Sequence, residues 1–206
     1  HLYIIKKIFD EVYRKYKDEY LANFYYVQIL LNSNEYEQAV KVVKNSYKFK
    51  EFNKKESRWG IFLANAYYEL GKKDLSVQTL KDYLSYSPKD LYLNQYYVEI
   101  LTSQENYDEA IDHYRFMSAN KLINFSDVSV AKKMALLNIK AKKYIDANTF
   151  IKSMKSKDTN SYNFLKGMLY IQKNNYPEAE KFFRKVEKKD DNYINSVKEI
   201  SKVKIK

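Results

Sequence analysis

Few residues in this sequence could carry out catalysis, and they are not arranged for it. The chain of 206 residues has two histidines, His1 and His113, and no cysteine. Disulfides, thiolate metal sites and cysteine nucleophiles are therefore excluded. The acidic pair Asp108 and Glu109 falls where a helix is predicted to begin, and there its charge suits the helix dipole better than acid–base catalysis. We therefore predict that the protein is not an enzyme and holds no metal or cofactor.

The scarcity of glycine and proline indicates helices joined by short turns. Only 3 Gly and 2 Pro occur in the whole chain. Long loops and β-sandwiches normally need more of both. Phosphate-binding loops depend on closely spaced glycines, and no Walker or Rossmann motif is present. The composition thus predicts an all-α fold.

The stretch 59–88 has the pattern of two amphipathic helices joined by a tight turn. Gly71 can adopt the left-handed geometry that ends a first helix, and Pro88 ends the second. The residues predicted to face inward are Leu63, Ala66, Tyr67 and Leu70 in the first helix, and Leu75, Leu80, Tyr83 and Leu84 in the second. One such hairpin cannot bury its apolar faces alone, so the pattern predicts further copies beside it.

Copies of this hairpin recur along the chain, each marked by a small residue near the start of its second helix. The markers are Ala39, Ser76, Ala110, Ala147 and Ala179, at intervals of 37, 34, 37 and 32 residues. All but Ser76 stand three positions after a tyrosine, and all five stand four positions before a large residue. A small residue lets two helices approach closely, and the large one fills the adjacent groove. The turns at Asn34, Gly71 and Asn174 are predicted to be left-handed.

This period, the helix–turn–helix units, the aromatic-x-x-Ala motif and the closing proline resemble the tetratricopeptide repeat. The resemblance covers about residues 20–193 and implies a solenoid of antiparallel helix hairpins, a right-handed α-α superhelix. We predict a single domain, 1–206, with a half-repeat helix at 2–17, repeats at 20–53, 57–90, 91–124, 128–161 and 160–193, and a capping helix at 192–206. The capping helix is expected to cover the last repeat with one apolar stripe of Ile194, Val197, Ile200 and Val203.

The resemblance also implies a function, which is a non-enzymatic scaffold for protein–protein interaction. In such arrays the first helix of each hairpin lines a concave groove that binds a peptide or protein partner. The residues predicted to face that groove are Phe24, Gln28, Leu31, Arg58, Ile61, Asn65, Tyr68, Tyr92, Gln95, Glu99, Lys132, Phe164 and Met168.

The basic charge leaves two alternatives open. The chain carries 37 Lys and Arg against 26 Asp and Glu, a net charge of +11. One alternative is a structural, self-assembling component of the cell envelope, oligomeric or peripherally attached to an anionic surface. The less favoured one is a helical-repeat binder of nucleic acid, because nearly all the basic residues are lysines and no recurring pair of polar specificity residues is present.

The sequence bears only weakly on origin and compartment. The longest apolar run is shorter than a membrane span. The heavy use of Lys, Asn, Tyr and Ile is typical of an AT-rich genome and suggests a bacterial protein. Since the chain begins with His1 rather than Met, we expect a removed N-terminal segment, and we prefer an exported, envelope-associated protein over a cytoplasmic one.

Overall fold

The computed structural model of the protein describes residues 2–53 and 55–204, with side chains for 4–53 and 55–202. Within these residues the chain forms twelve α-helices and no strand. The helices are α1 (Leu2–Tyr16), α2 (Tyr20–Asn32), α3 (Tyr36–Ser46), α4 (Ser57–Glu69), α5 (Lys73–Tyr86), α6 (Leu91–Ser103), α7 (Tyr107–Ala119), α8 (Val128–Lys140), α9 (Tyr144–Ser153), α10 (Thr159–Gln172), α11 (Tyr176–Phe183) and α12 (Tyr193–Lys204). They divide between unit 1, His1–Gln104, and unit 2, Glu105–Lys206. The predicted all-α fold of helix hairpins is confirmed.

The small residues predicted to mark each second helix are all buried. Every one of them has no exposed surface, and the large residues four positions later are at most 7% exposed. The buried pairs are Ala39 and Val43, Ser76 and Leu80, Ala110 and Tyr114, Ala147 and Ile151, and Ala179 and Phe183. The hydroxyl of Ser76 donates to the backbone oxygen of Ala64 at 2.8 Å, which satisfies a polar group that has no access to water.

The predicted left-handed turns are present at the ends of three first helices. The φ angles are +60° at Asn34, +72° at Gly71 and +56° at Asn174. In each case the next backbone N–H reaches back to a carbonyl of the preceding helix, for example Lys72 N–H to Tyr67 O at 2.9 Å. This bond satisfies a carbonyl that the helix end leaves without an internal partner. The prediction for these three turns is confirmed.

The first helices of unit 1 lie side by side. Helix α4 packs against α2 and α6 as well as against α3 and its own partner α5. Trp59 on α4 is fully buried, and its indole N–H donates to the hydroxyl of Tyr20 on α2 at 2.8 Å. The surfaces of α2, α4 and α6 that point away from the second helices therefore belong to one continuous face of this unit.

Unit 2 is built around a buried cluster contributed by α8, α9 and α10. Its members are Ala131, Ala135, Ile139, Ala147, Ile151, Met154, Leu165 and Leu169, none more than 3% exposed. Helix α11 packs against α10, where Gly167 lies directly against the ring of Phe183. The small residues on α8 and α9 let these helices approach closely enough to bury the cluster.

Three packing predictions are wrong. Leu75 is 49% exposed rather than inward, because Thr79 and Leu80 supply the buried face of α5. On α12, Ile194 and Val197 are 65% and 43% exposed, and Ser196 is the buried residue instead. The apolar stripe is therefore not the packing face of this helix. The side chain of Val203 and residues 205–206 of the predicted cap lie outside the described residues.

Candidate functional site

Ten of the predicted partner-binding residues lie on α2, α4 and α6 of unit 1. They differ in how far they reach solvent. Gln28, Leu31, Ile61, Asn65 and Tyr68 are partly exposed, and Arg58, Tyr92, Gln95 and Glu99 are exposed. Because α4 packs against both α2 and α6, these side chains occur on neighbouring helices of one unit. We call these nine exposed or partly exposed side chains, together with Tyr96 on α6, the first-helix surface.

The tenth residue, Phe24, belongs to the core and is a correction to the predicted set. It is 5% exposed, and its ring meets Trp59 edge-on at 5.1 Å and Phe62 at 5.4 Å. The guanidinium of Arg58 covers the ring at 4.5 Å, and its Nε donates to Glu56 at 2.6 Å. Phe24 therefore cannot contact a partner, but it helps to hold the exposed guanidinium of Arg58 in a fixed orientation.

Tyr96 on α6 also reaches this surface, although the predicted set did not include it. It is half-buried one turn after Tyr92 on α6. Burial raises the pKa of its hydroxyl, and the charges of Glu99 and Glu69, then Tyr68, raise it further. Glu99 on α6, and Glu69 and Tyr68 on α4, are therefore near enough to act electrostatically on the Tyr96 hydroxyl. Its spacing from Tyr92 is the sequence signal that could have identified it.

The remaining predicted residues lie in unit 2, and Lys132 is already engaged there. Its ammonium pairs with Asp158 at 2.7 Å, and Asp158 also accepts the N–H of Ser161 at 2.9 Å as the N-cap of α10. Burial alone would raise the pKa of the Asp158 carboxyl, but the hydrogen bonds from Lys132 and Ser161 outweigh it and lower that pKa. Lys132 thus stabilises the start of α10, and its ammonium is already paired with the carboxylate of Asp158.

Phe164 and Met168 on α10 are each partly buried against the core cluster of unit 2. The ring of Phe164 lies 5.9 Å from that of Phe183, at an angle of 50°. Both side chains therefore contribute to packing and expose only part of their surface. Their role in binding a partner stays a prediction.

A metal-binding arrangement is not evident in the described part of the chain. Among those residues no three or more His, Cys, Asp or Glu side chains cluster closely enough to hold a metal ion. The imidazole of His113 stacks on Phe116 at 5.4 Å, and burial lowers its pKa to about 4, so it is neutral near pH 7. None of the described helices has the length and apolar character needed to cross a membrane.

Comparison with known proteins supports the repeat assignment. The family model for the tetratricopeptide repeat matches residues 61–90 and 161–192. Tetratricopeptide repeat protein 21B of Xenopus laevis is 33% identical over 92 residues, which is 45% of this chain and 7% of that protein. The chain therefore spans only a small fraction of this relative's length. The predicted resemblance to the tetratricopeptide repeat is confirmed over the two stretches that the family model matches.

Several solved structures share the fold at low sequence identity. MamA (41-end) from Desulfovibrio magneticus RS-1 is 15% identical with a TM-score of 0.64, covering 82% of this chain and 93% of its own. YrrB, described as a TPR protein with an unusual peptide-binding site, is 12% identical with a TM-score of 0.63, covering 92% and 96%. Yeast Tom70 is 16% identical with a TM-score of 0.59, covering 97% of this chain and 43% of its own. At these identities the likeness concerns the fold.

Proposed function

We propose that this protein is a non-enzymatic scaffold whose first-helix surface binds a segment of a partner protein. The observation that carries the proposal is Tyr92, which is 75% exposed on α6, one turn from the partly exposed Tyr96 and on a helix that packs against α4 with its partly exposed Tyr68. Helix packing does not need an exposed tyrosine at this place. Tyrosine is enriched among residues that dominate binding energy, because its rigid ring offers apolar area and its hydroxyl offers a hydrogen bond.

The other side chains of the surface suit an extended or helical peptide. Asn65 and Gln95 can both donate to and accept from a peptide backbone. Leu31 and Ile61 offer apolar contact, and the oriented guanidinium of Arg58 suits a carboxylate. The tetratricopeptide repeats support this function, as does the fold shared with YrrB, for which a peptide-binding site is named.

Peptide selection followed by affinity measurement tests the proposal. Peptides selected on the immobilised protein from a random displayed library would be labelled and titrated by fluorescence polarisation. We expect Asn65→Ala/Tyr92→Ala to weaken binding by about tenfold or more, since loss of one such anchor typically costs about 2 kcal/mol. The control is Tyr86→Ala, which removes a tyrosine that is 46% exposed on α5. Equal weakening by both variants, or no selectable peptide, would reject this surface.

Self-association is a second candidate function, favoured by the apolar face of α1. Ile4 and Ile8 are 61% and 55% exposed, and Ile5, Val12 and Tyr16 extend the same face. Sedimentation velocity over a wide concentration range tests it, with Ile8→Glu expected to abolish any oligomer. The control is Ile145→Glu on α9, where an isoleucine is 85% exposed. A strictly monomeric parent protein would eliminate this candidate.

A further inference from the structure

One repeat position changes its chemistry in the last hairpin only. Thirteen residues before the markers at 39, 76, 110, 147 and 179 stand Tyr26, Leu63, Tyr97, Met134 and Lys166. The first four are between 1% and 5% exposed. Lys166, on α10, is therefore a lysine at a position where every other repeat has a buried aromatic or apolar residue.

The neighbour of Lys166 departs from the repeat pattern as well. The ammonium of Lys166 donates to the side-chain oxygen of Asn148 on α9 at 2.5 Å. Asn148 directly follows the marker of its own repeat, where the three preceding repeats have Val40, Val77 and Ile111. A polar pair has thus replaced apolar residues at two positions that now contact each other. Since apolar residues fill these positions elsewhere, the fold itself does not call for the polar pair.

The two helices present facing rows of polar and aromatic side chains here. On α9 the row consists of Tyr144, Asn148 and Lys152, which recur every four residues. The facing row consists of Lys166 and Tyr170 on α10 and of Lys173, the C-cap of that helix. Lys166 lies 5.9 Å from the ring of Tyr170, and Lys173 lies 5.9 Å from the ring of Tyr144. Two contacts therefore join the rows, Lys173 with Tyr144 and Lys166 with Asn148, and the charges of Lys152 and Lys173 both act on Lys166.

Among the residues that the structure describes, no carboxylate forms an ion pair with these three lysines. Within the described residues the ion pairs of unit 2 involve other bases, among them Lys132, Lys143 and Arg184. Burial lowers the pKa of Lys166, and the charges of Lys152 and Lys173 lower it further. Bringing like charges together with partial loss of solvent is unfavourable, and an anion bound between them would relieve it.

We propose that Lys152, Lys166 and Lys173, with Asn148, form a binding site for the dianion of a phosphate monoester. A phosphate group carries a charge of about −1.5 to −2 near pH 7 and three strong acceptor oxygens. Three ammonium donors match that charge and acceptor number better than they match a single carboxylate. Lysine also binds phosphate well as a point charge.

The aromatic side chains around the site argue against a nucleic-acid surface. Tyr170 already stacks on Phe182 at 5.5 Å and 18°, and Phe182 meets Tyr162 edge-on at 6.2 Å. Binding of single strands relies on rings that are free to stack on bases. These rings pack on each other instead, so the site suits an isolated phosphate, either free or on a phosphorylated side chain.

Calorimetric titration of the full chain tests the site at constant ionic strength. The probes are inorganic phosphate, a phosphoserine peptide, the same peptide without phosphate, acetate, and a short single-stranded DNA. We expect saturable binding of both phosphate-bearing probes and weaker or no binding of the others. Binding of the phosphopeptide alone would place the ligand on a partner protein, whereas equal binding of inorganic phosphate would identify a small-anion site.

The matched variants are Lys166→Met and Lys133→Met, which make the same charge change on α10 and on an exposed part of α8. Lys166→Met should weaken phosphate binding about tenfold or more, as expected for loss of a charge-assisted hydrogen bond, and Lys133→Met should not. The Lys166→Met variant should also fold normally, because Met134 occupies the equivalent position of the preceding repeat and is 1% exposed there. If it does not fold, Lys152→Met/Lys173→Met makes the same test at exposed positions.

Three results would overturn the site. They are the absence of saturable phosphate binding, equal loss in Lys166→Met and Lys133→Met, and DNA binding as tight as phosphate binding. The site goes beyond the first-helix surface and lies in the other unit. Asn65→Ala/Tyr92→Ala should therefore leave phosphate binding unchanged, so failure of the peptide-binding proposal can be told from failure of this one.

Discussion

Replacing Gly167 by alanine tests the close contact between α10 and α11 in unit 2. A Cβ added there would collide with Cε1 of Phe183 and lie 2.6 Å from its Cδ1 and 2.7 Å from its Cζ. Phe183 is 1% exposed, and Phe164 lies against it at 5.9 Å, so the ring has little room to move. Either the ring or the whole of α11 must shift to admit the methyl group.

The expected change in stability is a balance of two opposed effects. Alanine in place of glycine inside a helix normally stabilises by about 0.8–1.0 kcal/mol. Overpacking a closely packed core costs about 1–3 kcal/mol. Because the added atom would overlap three ring atoms, we expect the second effect to dominate and the free energy of unfolding to fall by about 1–2 kcal/mol. The sign of the change is the decisive observation.

A double-mutant cycle separates these two effects. Urea unfolding followed by far-UV circular dichroism would compare the parent, Gly167→Ala, Phe183→Val and the double variant. Valine lacks the ring atoms that cause the overlap, so Gly167→Ala in that background should be neutral or stabilising by up to about 1 kcal/mol. The same destabilisation in both backgrounds would refute the contact as its cause.

Two further predictions concern the turns and the effect of acid. Gly71→Ala should lower the free energy of unfolding by about 1 kcal/mol in the same urea experiment. The reason is the φ of +72°, which disfavours a residue with a Cβ even though no atom lies within 4 Å of the added group. Gly71→Asn should lower the free energy of unfolding by less, because asparagine tolerates this geometry. The pKa of His113 is about 4 in the folded protein, below the ordinary 6.5. Between these two values the folded state binds fewer protons than the unfolded state. The free energy of unfolding therefore decreases as the pH falls from about 6.5 to 4. His113→Gln should remove that part of the acid sensitivity, seen as a smaller drop in unfolding free energy between pH 7 and pH 4, while an unchanged drop would show that other groups cause it.

The repeat and its turns could be predicted because each depends on local chemistry that the sequence displays. Ala110 and Ala147 are predicted to be buried because a small residue lets the second helix of a hairpin pack closely on the first, and both are fully buried. Asn34 and Gly71 tolerate left-handed geometry and adopt it. Lys121 and Lys142 adopt the same geometry with φ near +60°, which no local propensity indicates. At those two turns the same closing bonds form, from Leu122 N–H to Met117 O at 2.9 Å and from Lys143 N–H to Asn138 O at 2.8 Å, so the helix ends adopt the turn without a residue that favours it.

The first-helix surface was predicted less completely, because helical periodicity identifies a face of a helix but not what covers it. Phe24 has the spacing of an exposed residue, yet Trp59 and Phe62 from the next hairpin bury it. Its burial therefore depends on a contact across 35 positions of sequence or more, which only the folded hairpins reveal. Tyr96 shows the opposite case, since the acidic and aromatic groups that raise the pKa of its hydroxyl come from two helices, α4 and α6.

The departure at Lys166 differs from both cases, because part of it is visible in the sequence once the repeats are aligned on their small residues. A lysine in a column of Tyr26, Leu63, Tyr97 and Met134 is an exception that the alignment displays. The alignment cannot show whether its charge is neutralised, since that depends on which side chains α9 contributes. An aspartate in place of Asn148 would have made an ordinary, partly buried ion pair with Lys166. The structure has the amide of Asn148 there instead, which accepts a hydrogen bond from the ammonium without neutralising its charge. The positive charge of Lys166 therefore stays without a negative partner, and this is the physical reason to expect a bound anion.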